Sequence, residues 1–196
     1  MHIETFVLTA YQANCYLVSK KDTLIVIDPG GPSEDLNEAI GDQKLDAILC
    51  THAHPDHVQG VSALVEKHDA PFYLHPLGED LIDVLAPDIR SFLPLDVEKP
   101  LTIGALTFDM MFTPGHSPDH VIFISELEKT IFVGDLVFAG SIGRVDLPGS
   151  DPAAMMHSLK TLLNLAGDYT LYSGHGPVTT LEQERQTNPF LLQLNE

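Results

Sequence analysis

Thr51-His52-Ala53-His54-Pro55-Asp56-His57 places three histidines and an aspartate within six positions. Histidine is only 10 of the 196 residues, so this density points to a shared task. Neutral imidazole and carboxylate are both good donors to a divalent transition metal. Just before the cluster, Asp46-Ala47-Ile48-Leu49-Cys50 is a short apolar run that reads as a strand. Just after it, Val58 to Val65 reads as the start of a helix ending near His68. Pro55 disfavours helix in Ala53 and His54, so the cluster is expected to be a loop at a strand end. Loops held by rigid elements are where ligands and catalytic groups concentrate.

Three further donor types stand behind turn signals at other strand ends. His116 follows Thr113-Pro114-Gly115, Asp135 follows Val133-Gly134, and His175 lies in Ser173-Gly174-His175-Gly176-Pro177. A neighbouring glycine in each lets the chain turn tightly beside the candidate donor. One such residue would mean little; several strand ends each delivering a donor form a coherent pattern.

The elements that must carry these ends follow from local patterning. His2 to Leu8, Asn14 to Ser19 and the β-branched run Thr23 to Ile27 read as strands. Asp28-Pro29-Gly30-Gly31-Pro32 breaks the third, and Ser33 caps a helix to about Ile40 that Gly41 closes. Pro71 to Leu74 reads as a strand and Leu77 to Leu85 as a helix, while Ala86 to Leu95 has no assignable shape. Leu101 to Ile103, Leu106 to Phe112, Val121 to Ser125 and Thr130 to Val133 are expected strands. Asp151-Pro152 starts a helix to about Leu165, Thr170 to Tyr172 is a last strand, and Thr179 with Glu182 forms a capping box. Strand, helix and a strand ending in histidine occur once at His52 and again at His175, an echo of two halves, each a sheet covered by helices.

With Asp28 in Ile27-Asp28-Pro29-Gly30 added, this set resembles the metallo-β-lactamase fold superfamily over nearly the whole chain. The resemblance implies an α/β fold, a four-layer αβ/βα sandwich of two mixed sheets covered by helices, in a single domain over 1–196. It implies two divalent metal ions at one sheet edge. His52, His54 and His116 would hold one, Asp56, His57 and His175 the other, and Asp135 would bridge them. Asp56 would also orient the nucleophile, and Asp28 would orient a ligand histidine through a hydrogen bond. Two such ions lower the pKa of bound water to about 7, which makes hydroxide available at neutral pH. Nitrogen and oxygen donors suit zinc best, with iron and manganese as alternatives.

Within that superfamily three stretches look most like the glyoxalase II group of thioester hydrolases: Asn14 to Val18, Thr113 to His120, and Gly134 to Arg144. That likeness implies a small-molecule thioester substrate such as S-lactoylglutathione. Arg144, the one basic residue between Lys129 and Lys160, would grip a substrate carboxylate. Asp119 departs from the group, which more often has glycine there. The tail after His175 is too short for the helical glutathione-binding domain of the larger enzymes, so the short bacterial form is the better match. Persulfide dioxygenases also resemble the chain, and imply one iron on His52, His116 and Asp135. Lactone or phosphodiester hydrolysis, or a non-catalytic metal module, are the remaining readings.

A net charge of -18 argues against a nucleic-acid partner, which needs clustered Lys and Arg. Hydrophobic residues at 44% with charged residues at 19% suit a packed globular chain. Cys15 and Cys50 lie in apolar runs and are expected as buried free thiols. No leader pattern and no run long enough to cross a bilayer is present, so the cytoplasm is expected, with no membrane partner. His120, one turn beyond His116, is read first as a packed histidine and second as a support behind a ligand, and His2, His68, His75 and His157 are expected as structural or exposed ones.

Overall fold

A computed structural model of the chain describes residues 1–195. The first sheet has six strands in sequence order: β1 (His2–Leu8), β2 (Ala13–Lys20), β3 (Thr23–Ile27), β4 (Ala47–Leu49), β5 (Phe72–Leu74) and β6 (Leu93–Pro94). The first three pair antiparallel through short turns, and β3 to β6 pair parallel. Parallel neighbours need crossovers, and helices supply them. These are α1 (Glu34–Ile40), then α2 (Pro55–Val58) with α3 (Val61–His68), then α4 (Glu79–Leu85).

The second sheet contains β7 (Leu101–Ile103), β8 (Leu106–Phe112), β9 (Val121–Ser125) and β10 (Thr130–Gly134). A small hairpin, β11 (Val137–Phe138) with β12 (Ser141–Ile142), and α5 (Pro152–Leu163) then lead to β13 (Thr170–Ser173) and β14 (Thr179–Thr180). Spatially the order is β14-β13-β10-β9-β8-β7, with β10 and β13 the parallel pair. Helices α6 (Leu181–Thr187) and α7 (Pro189–Leu192) follow. No helix among the described residues is long and apolar enough to cross a membrane.

Period-two alternation builds the layers. In β3, Ile25 and Ile27 face the second sheet and meet Tyr16, Leu49, Phe108, Phe123 and Phe132 in one apolar layer. The alternate residues Leu24 and Val26 pack with Ile48, Leu36, Ile40 and Leu64 under the helices. On the far side, Ile131, Val133 and Leu171 pack against Met155, Leu159 and Leu162 of α5. Helix, sheet, sheet and helix therefore stack as four layers, as the resemblance implies. Cys15 and Cys50 are buried and free.

Local signals set most helix ends. Ser33 Oγ accepts the Leu36 N–H at 3.1 Å and Gly41 closes α1. Asp151 Oδ1 accepts the Ala153 and Ala154 N–H groups ahead of α5, which ends at Leu163 rather than Leu165. The C-terminal cap is corrected by one residue: Thr180 Oγ1 accepts the Gln183 N–H at 3.1 Å. Thr179 is committed to β14, paired with Leu171, and its hydroxyl donates to the buried Glu184 carboxylate at 2.6 Å. The unassigned stretch after Ala86 ends in β6, an edge strand whose Pro94 needs no ladder partner for its nitrogen.

The histidine stretch is corrected too. Thr51 to His54 is loop, but Pro55 opens α2, so Asp56 and His57 ride on a helical turn. Proline is well suited to the first helical position, and it keeps His54 extended at φ -65°, ψ 146°. The turn after β3 packs directly under this helix: a Cβ on Gly30 would lie 1.7 Å from the Asp56 carbonyl oxygen. Gly30→Ala is therefore expected to cost about 1–3 kcal/mol through overpacking. Urea unfolding checks this; an unchanged midpoint would mean that α2 can retreat without cost.

Candidate metal centre

Five strand ends meet at one edge of the two sheets. Adjacent parallel strands end side by side, so β3 and β4 bring Asp28 next to Thr51. Asp28 Oδ1 accepts the Thr51 N–H at 2.7 Å and Oδ2 accepts the Thr51 hydroxyl at 2.8 Å. These bonds fix Asp28 in a left-handed conformation, φ 53°, which a short polar side chain tolerates. Likewise β10 and β13 end together, with the Gly174 N–H on the Gly134 carbonyl at 2.8 Å. A backbone bond from Val121 N–H to the Thr51 carbonyl, 2.8 Å, ties the two sheets at this edge.

The sequence-predicted donors converge here. Ring nitrogens of His52, His54 and His116 lie within 4.8 Å of one another, as do the donor atoms of Asp56, His57 and His175. Asp135 lies between the two groups. Its Oδ2 is 3.3 Å from His116 Nε2 and 3.5 Å from His175 Nε2, and its Oδ1 is 3.4 Å from His57 Nε2. Asp56 Oδ2 stands 3.3 Å from His175 Nε2.

The arrangement fits metal ions on two counts. Buried polar atoms normally have partners, yet His52 Nε2, His57 Nε2 and Asp135 Oδ1 have none within the protein. The donor atoms of these three residues lie within 4.8 Å of one another, where bound cations would satisfy them. In four of the five histidines the opposite nitrogen is engaged: His52 Nδ1 with Thr51 Oγ1 (3.1 Å), His57 Nδ1 with Asp28 Oδ2 (3.1 Å), His116 Nδ1 with the Arg144 carbonyl (2.8 Å) and His175 Nδ1 with the Tyr11 carbonyl (3.1 Å), while His54 Nδ1 lies 2.9 Å from His116 Nε2. That back-side support fixes tautomer and ring orientation in metal-binding histidines.

Charge divides the centre. Burial pushes His52 well below the ordinary histidine range and His54 down to about 4, which leaves neutral, ligand-ready rings. Burial also acts against charge on His57, but Asp135 and Asp28 outweigh it and raise that ring well above its usual range. Hydrogen bonds to Asp135 and Asp56 lift His175 to about 10. Burial alone would raise Asp135; the surrounding histidines instead hold it well below the usual carboxylate range. Positive charge is therefore most favoured beside Asp56, His57, Asp135 and His175.

Some supports were not legible as such. His120, read first as a packed histidine and only second as a support behind a ligand, takes the second role: it accepts the Asp135 N–H on Nε2 at 3.0 Å and pairs through Nδ1 with Thr113 Oγ1 at 2.9 Å. Its position four residues after His116 is the one signal the sequence carries. Arg144 reaches the centre through its carbonyl. Its exposed guanidinium forms a two-point pair with Asp146 at 2.7 and 2.9 Å.

Asp119 is fully buried behind this loop. The Ser117 hydroxyl donates to its Oδ1, its Oδ2 has no partner, and burial pushes it up to about 6. A carboxyl raised on folding favours the native state while protonated, and that advantage is lost as pH rises through the folded value. The stability gap between Asp119→Asn and wild type should then shift toward the variant by on the order of 2 kcal/mol between pH 4 and pH 7. Chemical denaturation of the metal-free protein at the two pH values checks this, and a gap independent of pH would contradict it.

Comparison with known proteins agrees with the geometry. The family model described as the metallo-beta-lactamase superfamily matches residues 8–175, from the end of β1 through the last donor. The chain is 36% identical to the hydroxyacylglutathione hydrolase GloC of Haemophilus influenzae, with 97% of this chain and 98% of that protein covered. It superposes on the BLEG-1 B3 metallo-beta-lactamase with a TM-score of 0.87 at 35% identity, covering 97% and 99% of the two chains. The di-iron-bound form of TTHA1623 gives a TM-score of 0.86 at 41% identity, covering 96% and 100%. The chain belongs to the metallo-β-lactamase superfamily.

Proposed function

We propose that the protein is a dinuclear metal-dependent hydrolase that cleaves thioesters of small S-acylated thiols, S-lactoylglutathione being the model substrate. The observation that carries the reading is the Asp135 carboxylate, with one oxygen toward His57 and the other toward His116 and His175. One carboxylate shared between two groups of donors suits two ions held side by side. Family membership supports hydrolysis, and the near full-length likeness to a hydroxyacylglutathione hydrolase supports the thioester. The net charge of -18 favours a small molecule over nucleic acid.

His52, His54 and His116 would hold one ion, and Asp56, His57 and His175 the other. Zinc fits such nitrogen and oxygen donors, and a di-iron relative keeps iron in view. Divalent ions bound there supply Lewis acidity, acidifying water and polarising the acyl oxygen. The protein's own residues do the rest. Asp28 keeps the His57 ring turned so that Nε2 faces inward. Burial acts to raise the partly exposed Asp56 carboxylate, but His175 beside it holds it below the usual carboxylate range, and as a carboxylate it would accept a hydrogen bond from the attacking water and aim it. Attack forms a C–O bond and breaks the C–S bond, giving a carboxylic acid and a thiol. A simple thiol has a pKa of about 8.5, so the sulfur leaves with little help from an acid. Arg144 would take a substrate carboxylate in place of Asp146, in the two-point mode it already uses.

Zinc-reconstituted protein is expected to release free thiol from S-lactoylglutathione. Asp135→Ala should lower kcat at least about 100-fold, and Arg144→Ala should mainly raise KM. Turnover of lactones or phosphodiesters without thioesters would move the substrate class. Oxygen uptake with glutathione persulfide by iron-loaded protein would replace hydrolysis with redox chemistry. Loss of no activity or phenotype in Asp135→Ala would leave only a non-catalytic metal module.

A further inference from the structure

The stretch Asn14-Cys15-Tyr16 at the start of β2 supplies no candidate metal donor, and the reaction above does not use it. Its polar atoms nevertheless converge on one place, the loop that carries His175. The Asn14 N–H donates to the Gly174 carbonyl at 2.7 Å. The Asn14 Nδ2 donates to the Ser173 carbonyl at 2.9 Å and to the Gly176 carbonyl at 2.8 Å. The Tyr16 hydroxyl also donates to the Ser173 carbonyl. Ala13 makes a bridge with His175, and the Tyr11 carbonyl accepts from His175 Nδ1 at 3.1 Å. Residues 11–16 thus grip residues 173–176 from the opposite end of the chain.

His175 needs such a grip. Glycines flank it on both sides, so its own segment does little to fix the ring, and it is more exposed than His52, His57 or His116. The other trio is held independently of this hairpin. His52 leans on Thr51, and His116 is fixed by the Arg144 carbonyl and by the Ser150 hydroxyl on its own carbonyl at 2.8 Å. The chemistry of the clamp is specific. One amide nitrogen with two N–H groups can span two carbonyls on either side of His175, and a carboxylate of the same shape cannot. The buried Tyr16 ring is seated by Phe132 and Tyr172, at centroid distances of 5.4 and 5.3 Å, so its hydroxyl can be removed without moving the ring.

We propose that Asn14 and Tyr16 are positioning residues for His175, and that through it they set the occupancy of the Asp56, His57 and His175 trio, hence whether the centre holds one ion or two. The proposal rests on the dinuclear reading and adds a control on the second ion alone.

The test is zinc titration of metal-free wild type, Asn14→Ala, Asn14→Asp and Tyr16→Phe against a chromophoric chelator, with cobalt absorption spectra as a readout of coordination. Wild type is expected to bind two ions. In the variants the ion at the Asp56, His57 and His175 trio should bind about 10–100-fold more weakly while the ion at the His52, His54 and His116 trio keeps its affinity, and the cobalt spectrum should lose the component of the weakened trio. The isosteric Asn14→Asp should fare no better than Asn14→Ala, because space-filling is not what the amide supplies. The unchanged affinity of the His52, His54 and His116 trio also shows that a variant is folded. If the Asn14 variants do not fold, Tyr16→Phe, which keeps the ring, carries the test. Two ions bound in every variant with wild-type affinity, or both ions weakened alike, would overturn the clamp and leave the dinuclear reading intact. A wild type that saturates with one ion would overturn the dinuclear reading, and the proposal with it.

Discussion

A buried carboxylate set between histidines on both sides is the constraint on which this structure turns. Asp135 has little contact with water, and its two oxygens face three different rings. A charge in such a place is costly unless it is surrounded by partners. The surroundings are built to that end. His120 holds the Asp135 amide. The chain passes close to the carboxylate at Gly174, where a Cβ would fall 2.1 Å from Asp135 Oδ1. Any larger residue there would displace the carboxylate or the loop that carries His175.

The two-sheet architecture is the means of delivery. Each sheet contributes a parallel pair whose ends lie side by side: β3 with β4, and β10 with β13. One pair presents Asp28 behind His52 and His57, and the other presents Asp135 beside His175. The apolar layer between the sheets sets their spacing, and the donors stand at its rim. Core packing and site geometry are therefore coupled. The aromatic residues Tyr16 and Phe132, which fill that layer, lie on the same strands that lead to the His175 clamp and to Asp135.

Much of this is legible in the chain. The strand β3 announces itself by a run in which four of five residues are β-branched, and α1 and α5 by their capping residues. The donors stand out because histidine and aspartate recur behind turn signals at strand ends. Other features leave no such trace. His116 and His175 are aimed by backbone carbonyls of Arg144 and Tyr11, and a carbonyl has no residue type to recognise. The strands β11, β12 and β14 are two residues long, too short to show a period. Pro55 disfavours helix before it, which holds for His54, while its fitness to start a helix decides the conformation of Asp56 and His57. Arg144 is conspicuous as the one cation of its stretch, and the Asp146 that pairs with it is masked by the abundance of acidic residues in this chain.

Two ions sharing Asp135 are the core of the proposed mechanism, and anomalous diffraction from crystals grown with zinc tests them most directly. Two peaks are predicted on either side of the Asp135 carboxylate, one against His52, His54 and His116 and the other against Asp56, His57 and His175. A single peak at full occupancy, held by His52, His116 and Asp135 with the second trio left without metal, would contradict it.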